Sequence, residues 1–244
     1  MSKTQSLKNT LLSNKTKIND LLSGANTVKR LNNLNYLCQQ ISFEEPKTLI
    51  QAQYKDATNK LDYTNMKNLS NAYNYILDNL DTQINYSQIF TLYGKIIEKT
   101  NLDDGALRLR RSNAILNIPN QDSIITYAPN PETIYDKLNN IVSELNNTKN
   151  TDTLTKAFNV HYQLILLQPF TDCNKRLARF VMNWYLMQNE FTPIVFNNKK
   201  DKLEYINSIS AYIQGNSKTY TRYMEKSMLA TQKQILNLLN NKTR

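Results

Sequence analysis

A chain of 244 residues with 40% hydrophobic content can bury a real core, which excludes a disordered protein. The net charge of +10 favours anionic partners, but the lysines are scattered and no aromatic-studded basic run is present, which argues against a nucleic-acid platform. Four glycines, six prolines and two cysteines (Cys38 and Cys173) exclude a turn-rich β fold and a disulfide framework, and favour helices in a reducing compartment.

The first ten residues lack the apolar core of a signal peptide, and no run approaches the ~18 apolar residues of a membrane span. The expectation is therefore a protein made in the cytoplasm with no membrane partner; delivery elsewhere by a secretion machine stays open.

In chain order, Leu7, Leu11, Ile18, Leu21 and Leu22 predict an opening helix stopped by Gly24. Val28 to Ile41 repeats apolar residues near the helical period, and Ser42 to Pro46 reads as a connector. A helix from about Met66 carries Leu69, Tyr73, Ile76, Leu77 and Leu80 on one face. Ser87 is placed to cap the next helix, whose inner face holds Phe90, Tyr93, Ile96 and Ile97.

The helical period then disappears. Ala114 to Ile118, a turn at Pro119–Asp122 and Ile124 to Tyr127 predict a β-hairpin, the one convincing strand pair. Two strands are marginal by themselves, so the pair should lie on something. Helix resumes after Pro131 with Ile134, Leu138, Ile141, Val142 and Leu145 facing inward. Asp152 caps an amphipathic helix whose face reads Leu154, Ala157, Phe158, His161, Leu164, Ile165 and Gln168. After a short loop comes a helix with Leu177, Val181, Trp184 and Tyr185. Asp201 opens a helix with Leu203, Ile206 and Ile213, Gly215 stops it, and a last helix runs from Ser217 into Leu236–Leu239.

The stretch with chemical content is Gln168-Pro169-Phe170-Thr171-Asp172-Cys173-Asn174-Lys175-Arg176-Leu177-Ala178-Arg179, lying between two buried helices. Lys175, Arg176 and Arg179 fall in the first turns of the second helix, where cations oppose the positive end of the macrodipole at up to ~1 kcal/mol each. A helix start that gathers cations and outward backbone amides suits phosphate, and Asp172 just before it is placed to hold Mg²⁺ on that phosphate. The plainer alternative is a surface helix whose arginines pair with acids elsewhere.

This segment resembles the Fic/Doc family signature HPFx(D/E)GNGRxxR, with Pro169, Phe170, Asp172, Asn174, Arg176 and Arg179 in register. His161, the Met182–Leu186 helix, Phe191 to Ile194, Leu109 to Ile115 and the turn at Ala211–Asn216 resemble the family's flanks, so the likeness covers about 66–230. It implies an all-α Fic fold with one β-hairpin flap, an extension over 1–65 and a helix end over 231–244.

It further implies an ATP and Mg²⁺ site and AMP transfer to a Ser, Thr or Tyr hydroxyl of a target protein. Asp172 would hold the metal, and Cys173, Asn174, Lys175, Arg176 and Arg179 the nucleotide. Ile115, Leu116, Asn117 and Ile118 would form the flap that clamps the target by strand addition. Cys173 replaces a Gly or Ala of the family, and a cation-rich helix start can lower its thiol pKa.

Gln168 stands where the family has its histidine base. A carboxamide does not titrate near neutral pH, and losing a general base typically removes ~10²–10⁴-fold of rate, so impaired transfer is expected. His161, the single histidine, lies about two turns back, ~10 Å by helix rise, and reads as a packed structural residue. Lys175 is similar to the Doc branch, which transfers phosphate, whereas Arg179 follows the AMP-transferring branch. A non-catalytic interaction module is a further reading. Thr58 and Asp62 resemble a remnant of the family's inhibitory helix. Thr221 to Glu225 fits the same loose pattern, with a surface position expected.

Overall fold

The computed structural model describes residues 3–22, 60–103, 107–118, 124–147, 152–195 and 199–242. Among them are eight α-helices and one antiparallel strand pair, matching the all-α expectation with a single hairpin. The expected helix at 28–41, the stop at Gly24, the connector at 42–46, Cys38, Thr58 and the hairpin turn at 119–122 lie outside the described residues. No described helix is long and apolar enough to cross a membrane. The chain divides into two compact units, Leu49–Gln188 and Met1–Thr48 with Asn189–Arg244.

The first unit begins with α2, Lys60–Asp78 (α1 belongs to the other unit), and α3, Tyr86–Ile97. α2 starts six residues before Met66, and the side chains it buries are Asn68, Ala72 and Ile76. Asn68 belongs to the inner face because its Nδ2 donates to the Ile96 and Glu98 carbonyls at the end of α3. α3 is capped by Asn85, not by the expected Ser87. Asn85 Oδ1 accepts from Gln88 N–H while Gln88 Oε1 accepts from Asn85 N–H, a reciprocal capping box.

Strands β1 (Ile115–Ile118) and β2 (Ile124–Tyr127) pair in the register Ile115–Tyr127 to Ile118–Ile124, and Ala128 N–H extends the ladder to Ala114 C=O. A 3-10 turn at Pro131–Thr133 leads into α4, Ile134–Asn146. α4 buries the five expected residues, each worth ~1.5–3 kcal/mol when withdrawn from water.

Then come α5, Thr153–Leu167, capped by Asp152 as expected, and α6, Asn174–Gln188. α6 is the spine of this unit, packing on α5, α3 and α2. Trp184 is fully buried and donates through Nε1 to Asn79 C=O, and Gln188 Nε2 donates to the Leu80 and Thr82 carbonyls. These bonds fix the far end of α6 and thereby the direction in which its N-terminus points.

The second unit contains α1 (Lys3–Leu22), α7 (Lys199–Ile213) and α8 (Ser217–Lys242). Ile18 and Leu22 of α1 pack with Ile235, Leu236 and Leu239 of α8, and Gln232 Nε2 donates to Leu11 C=O. α7 starts two residues before Asp201 and turns a different face inward: Leu203 is 55% exposed, while Tyr205, Ser208 and Ile209 are buried. Buried Ser208 and Ser210 carry no apolar signal, so the apolar pattern alone put the face in the wrong place. Gly215 ends α7 at φ +89°, where Gly215 and Asn216 amides return to Tyr212 and Ala211, and Asn216 Oδ1 then caps α8. Glu225 is 5% exposed, so the surface position expected for Thr221–Glu225 does not hold for its acid.

The cap assignment has a direct consequence. Asn85→Ala should cost ~1 kcal/mol in urea unfolding, whereas Ser87→Ala should stay within ~0.5 kcal/mol.

Candidate functional site

Residues 168–173 carry the chain from the end of α5 to the start of α6. Two of them adopt the left-handed backbone that L-residues avoid, Gln168 (φ 46°, ψ 60°) and Cys173 (φ 60°). Each costs roughly 1–2 kcal/mol, and such conformations persist only where their surroundings over-determine them.

Three sets of contacts hold the turn. Phe170 is buried, stacks on Tyr93 with centroids 3.7 Å apart, and meets the edge of Phe90 at 5.1 Å. Asn174, buried at the first position of α6, accepts Phe170 N–H at 2.9 Å through Oδ1. Its Nδ2 donates to Phe170 C=O at 2.7 Å and to Gln168 Oε1 at 3.1 Å. The third holder is Arg110, 4% exposed, whose Nε donates to Gln168 C=O at 2.6 Å and whose own amide donates to Pro169 C=O at 3.0 Å.

Sequence reasoning placed Arg110 in the Leu109–Ile115 stretch that resembles the family's flank, but with no signal of its burial or of the carbonyls it holds. It likewise placed Asn174 among nucleotide-binding residues, whereas its side chain is occupied in fastening the turn.

Gln168 is held as well. Its amide N–H closes α5 on Leu164 C=O, Nε2 donates to Ile165 C=O at 2.6 Å, and Oε1 takes the Asn174 bond. The carboxamide is a structural tie between α5 and α6.

The groups left facing outward are those with charge. The first intrahelical bond of α6 runs from Leu177 N–H to Cys173 C=O, so the amides before it point out of the helix start. Lys175 and Asp172 are exposed, and Arg176 and Arg179 are half-buried in the first turns of α6. Asp172 Oδ1 accepts Cys173 N–H at 2.5 Å.

Burial pushes the Cys173 thiol pKa up, with Arg176 lowering it and Asp172 raising it. The expected lowering is therefore not found, because the buried thiolate loses more to desolvation than the nearby guanidinium returns. His161 is fully buried, and burial followed by the Arg179 charge brings its pKa down to about 3, so it is a neutral packed residue as expected.

Among the described residues no three His, Cys, Asp or Glu side chains cluster as a metal site. Asp172 is the carboxylate that the turn itself carries. On the hairpin, Leu116 is buried while Ile115 is 57% and Tyr127 77% exposed; the side chains of Asn117, Ile118 and Asp62 lie outside the described residues.

A helical unit with a strained turn feeding a cation-rich helix start, and a hairpin fastened to that turn, has the layout of the Fic fold. Residues 83–186 match the Fic/DOC family model, and over these residues the chain is a Fic/DOC-family domain. It is similar to protein adenylyltransferase fic-1 of Caenorhabditis elegans, 34% identical over 98 residues, covering 39% of this chain and 19% of that protein. A second relative, protein adenylyltransferase Fic of Nematostella vectensis, is 35% identical over 68 residues, 27% of this chain and 15% of the relative. The match thus spans about a fifth or less of these curated relatives. The solved structure of C. elegans Fic-1 (aa134–508) superposes with TM-score 0.70 at 19% identity, covering 98% of this chain and 76% of that one.

Two outcomes follow from the geometry. Asn174→Ala strips both backbone groups of buried Phe170 of their partner and should lower stability by ~2–4 kcal/mol in urea unfolding. The folded-state pKa of His161, about 3, lies below the ordinary 6.5, so the unfolded chain binds the proton first as pH falls. Stability is whole above pH 6.5 and is lost on the way down toward pH 3, by roughly 1.4 kcal/mol per unit. With one histidine in the chain, the loss between pH 6.5 and the carboxylate range should vanish in His161→Gln.

Proposed function

We propose that the α5–α6 turn binds ATP with Mg²⁺, and that the protein belongs to the lineage that transfers AMP to a hydroxyl of a target protein. The observation that carries this is the start of α6, where Lys175, Arg176 and Arg179 sit in the first turns, none of them buried, after a turn held in left-handed conformation at both ends. Such a helix end attracts phosphate through its dipole and its donors together. Support also comes from relatives named as protein adenylyltransferases.

Within this reading, Arg176 and Arg179 hold phosphate oxygens and Asp172 binds the metal. Bound with the nucleotide, Mg²⁺ neutralises charge on the phosphate oxygens. An extended target segment adds to the open edge of β1. Gln168 leaves the target hydroxyl without a base, because its oxygen already accepts from Asn174 and a neutral amide takes no proton at working pH. Transfer is accordingly slower by ~10²–10⁴-fold than with an imidazole. The Gln168 side-chain bonds to Ile165 and Asn174 favour a second reading, a non-catalytic Fic-fold interaction module that keeps the nucleotide site.

Titration calorimetry should show Mg²⁺-dependent ATP binding that Arg179→Ala weakens by ~10–100-fold, the worth of one charge-assisted bond. If ATP does not bind, the nucleotide reading is wrong. In Gln168→His, ATP labelled on the α-phosphate should label protein targets. Labelling only from the γ-phosphate would instead identify a Doc-like phosphotransferase, and silence with intact binding would leave the interaction module.

A further inference from the structure

Arg110 divides its guanidinium between two structures. Nε donates to Gln168 C=O at 2.6 Å and Nη2 to Leu167 C=O at 3.3 Å, both at the end of α5. Nη1 donates to Ser112 C=O at 2.7 Å and Nη2 to Pro129 C=O at 2.6 Å, one on each side of the hairpin base. All four of these acceptors are backbone carbonyls, and two belong to the negative end of α5, where a helix leaves its last carbonyls without partners. The planar fork spans four acceptors in fixed directions, which a lysine's point charge cannot do.

The hairpin needs such an anchor. Its ladder is four residues long on each strand, and an isolated pair of that size is marginal in water. Among the described residues, Ala128 N–H to Ala114 C=O and the Arg110 bonds to Ser112 and Pro129 close its base. On the other side, Arg110 N–H to Pro169 C=O and Nε to Gln168 C=O fix the left-handed kink that aims α6.

We propose that Arg110 is a positioning residue that makes the hairpin and the α5–α6 turn one mechanical element. Occupancy of the turn then stiffens the strand edge offered to a target, and a segment docked on that edge tightens the turn in return. The reciprocity is required by linkage wherever two sites bias one shared element. In its ligand arm this inference rests on the nucleotide reading above; its ligand-free arm does not.

Hydrogen exchange on the intact chain tests both. Without ligand, the amides of Arg110, Ala128 and Phe170 should open together in increasing denaturant, as one cooperative unit. Opening of Ala128 and Arg110 well before Phe170 would overturn the proposal, whatever the protein binds. With ATP and Mg²⁺, hairpin amides should exchange more slowly by about five-fold or more, the low end of ordinary coupling. Arg110→Lys keeps the cation and loses the fork. It should bind ATP more weakly and, at saturating ATP, protect the turn while losing the added protection of the hairpin, a difference that a general loss of stability does not produce. Equal transmission in Arg110→Lys and the unaltered chain would overturn the proposal. Absence of any ATP effect would fail the nucleotide reading and leave the ligand-free arm to decide this one.

Discussion

The candidate site depends on one constraint: a chain leaving a helix through a left-handed residue must be held there from outside. Gln168 and Cys173 bracket the turn in conformations that cost free energy. Arg110, Asn174 and Phe170 supply the restraint from the hairpin side, from the first turn of α6 and from the aromatic face of α3. With the turn fixed, α6 starts at Asn174 and carries Lys175, Arg176 and Arg179 in its first turns. Without it, the same residues would form an ordinary basic helix.

That division of labour separates polar groups that build the site from those that serve it. Asn174, Gln168 and Arg110 are engaged with backbone and with one another, and His161 is neutral in the interior. Asp172, Lys175, Arg176 and Arg179 keep solvent-facing surface around the helix start. The replacement at 168 is therefore more than the absence of a base. A carboxamide in that place donates to Ile165 and accepts from Asn174 at once, so it reinforces the strained turn while withholding acid–base chemistry. On the function proposed above, a site so built binds nucleotide and reacts slowly.

Much of this was legible in the residues. Periodicity placed α4, α5 and α6 and their inner faces, because in those helices apolar residues do the packing: Ile134, Leu138 and Leu164 are fully buried. It misplaced the face of α7, where serines and a tyrosine are inside, and the start of α3, where Asn85 and Gln88 cap each other in preference to Ser87. The charged run at 172–179 was readable by its spacing, since i and i+3 positions share a helix side. Two things were not. The burial of Arg110 is set by carbonyls 57 to 58 residues away, and no local pattern encodes such acceptors. The left-handed angles at Gln168 and Cys173 fall on residues other than glycine, so the usual sequence marker of that conformation is missing.

The account stands on the turn between α5 and α6 being shaped for a polyphosphate chain. A crystal structure of the protein grown with ATP and Mg²⁺ tests this most directly. The phosphates should lie against the α6 start, within hydrogen-bond reach of its first amides and of the Arg176 and Arg179 guanidinium groups, with the metal at Asp172. Nucleotide bound elsewhere, or a vacant helix start at saturating ATP, would contradict it.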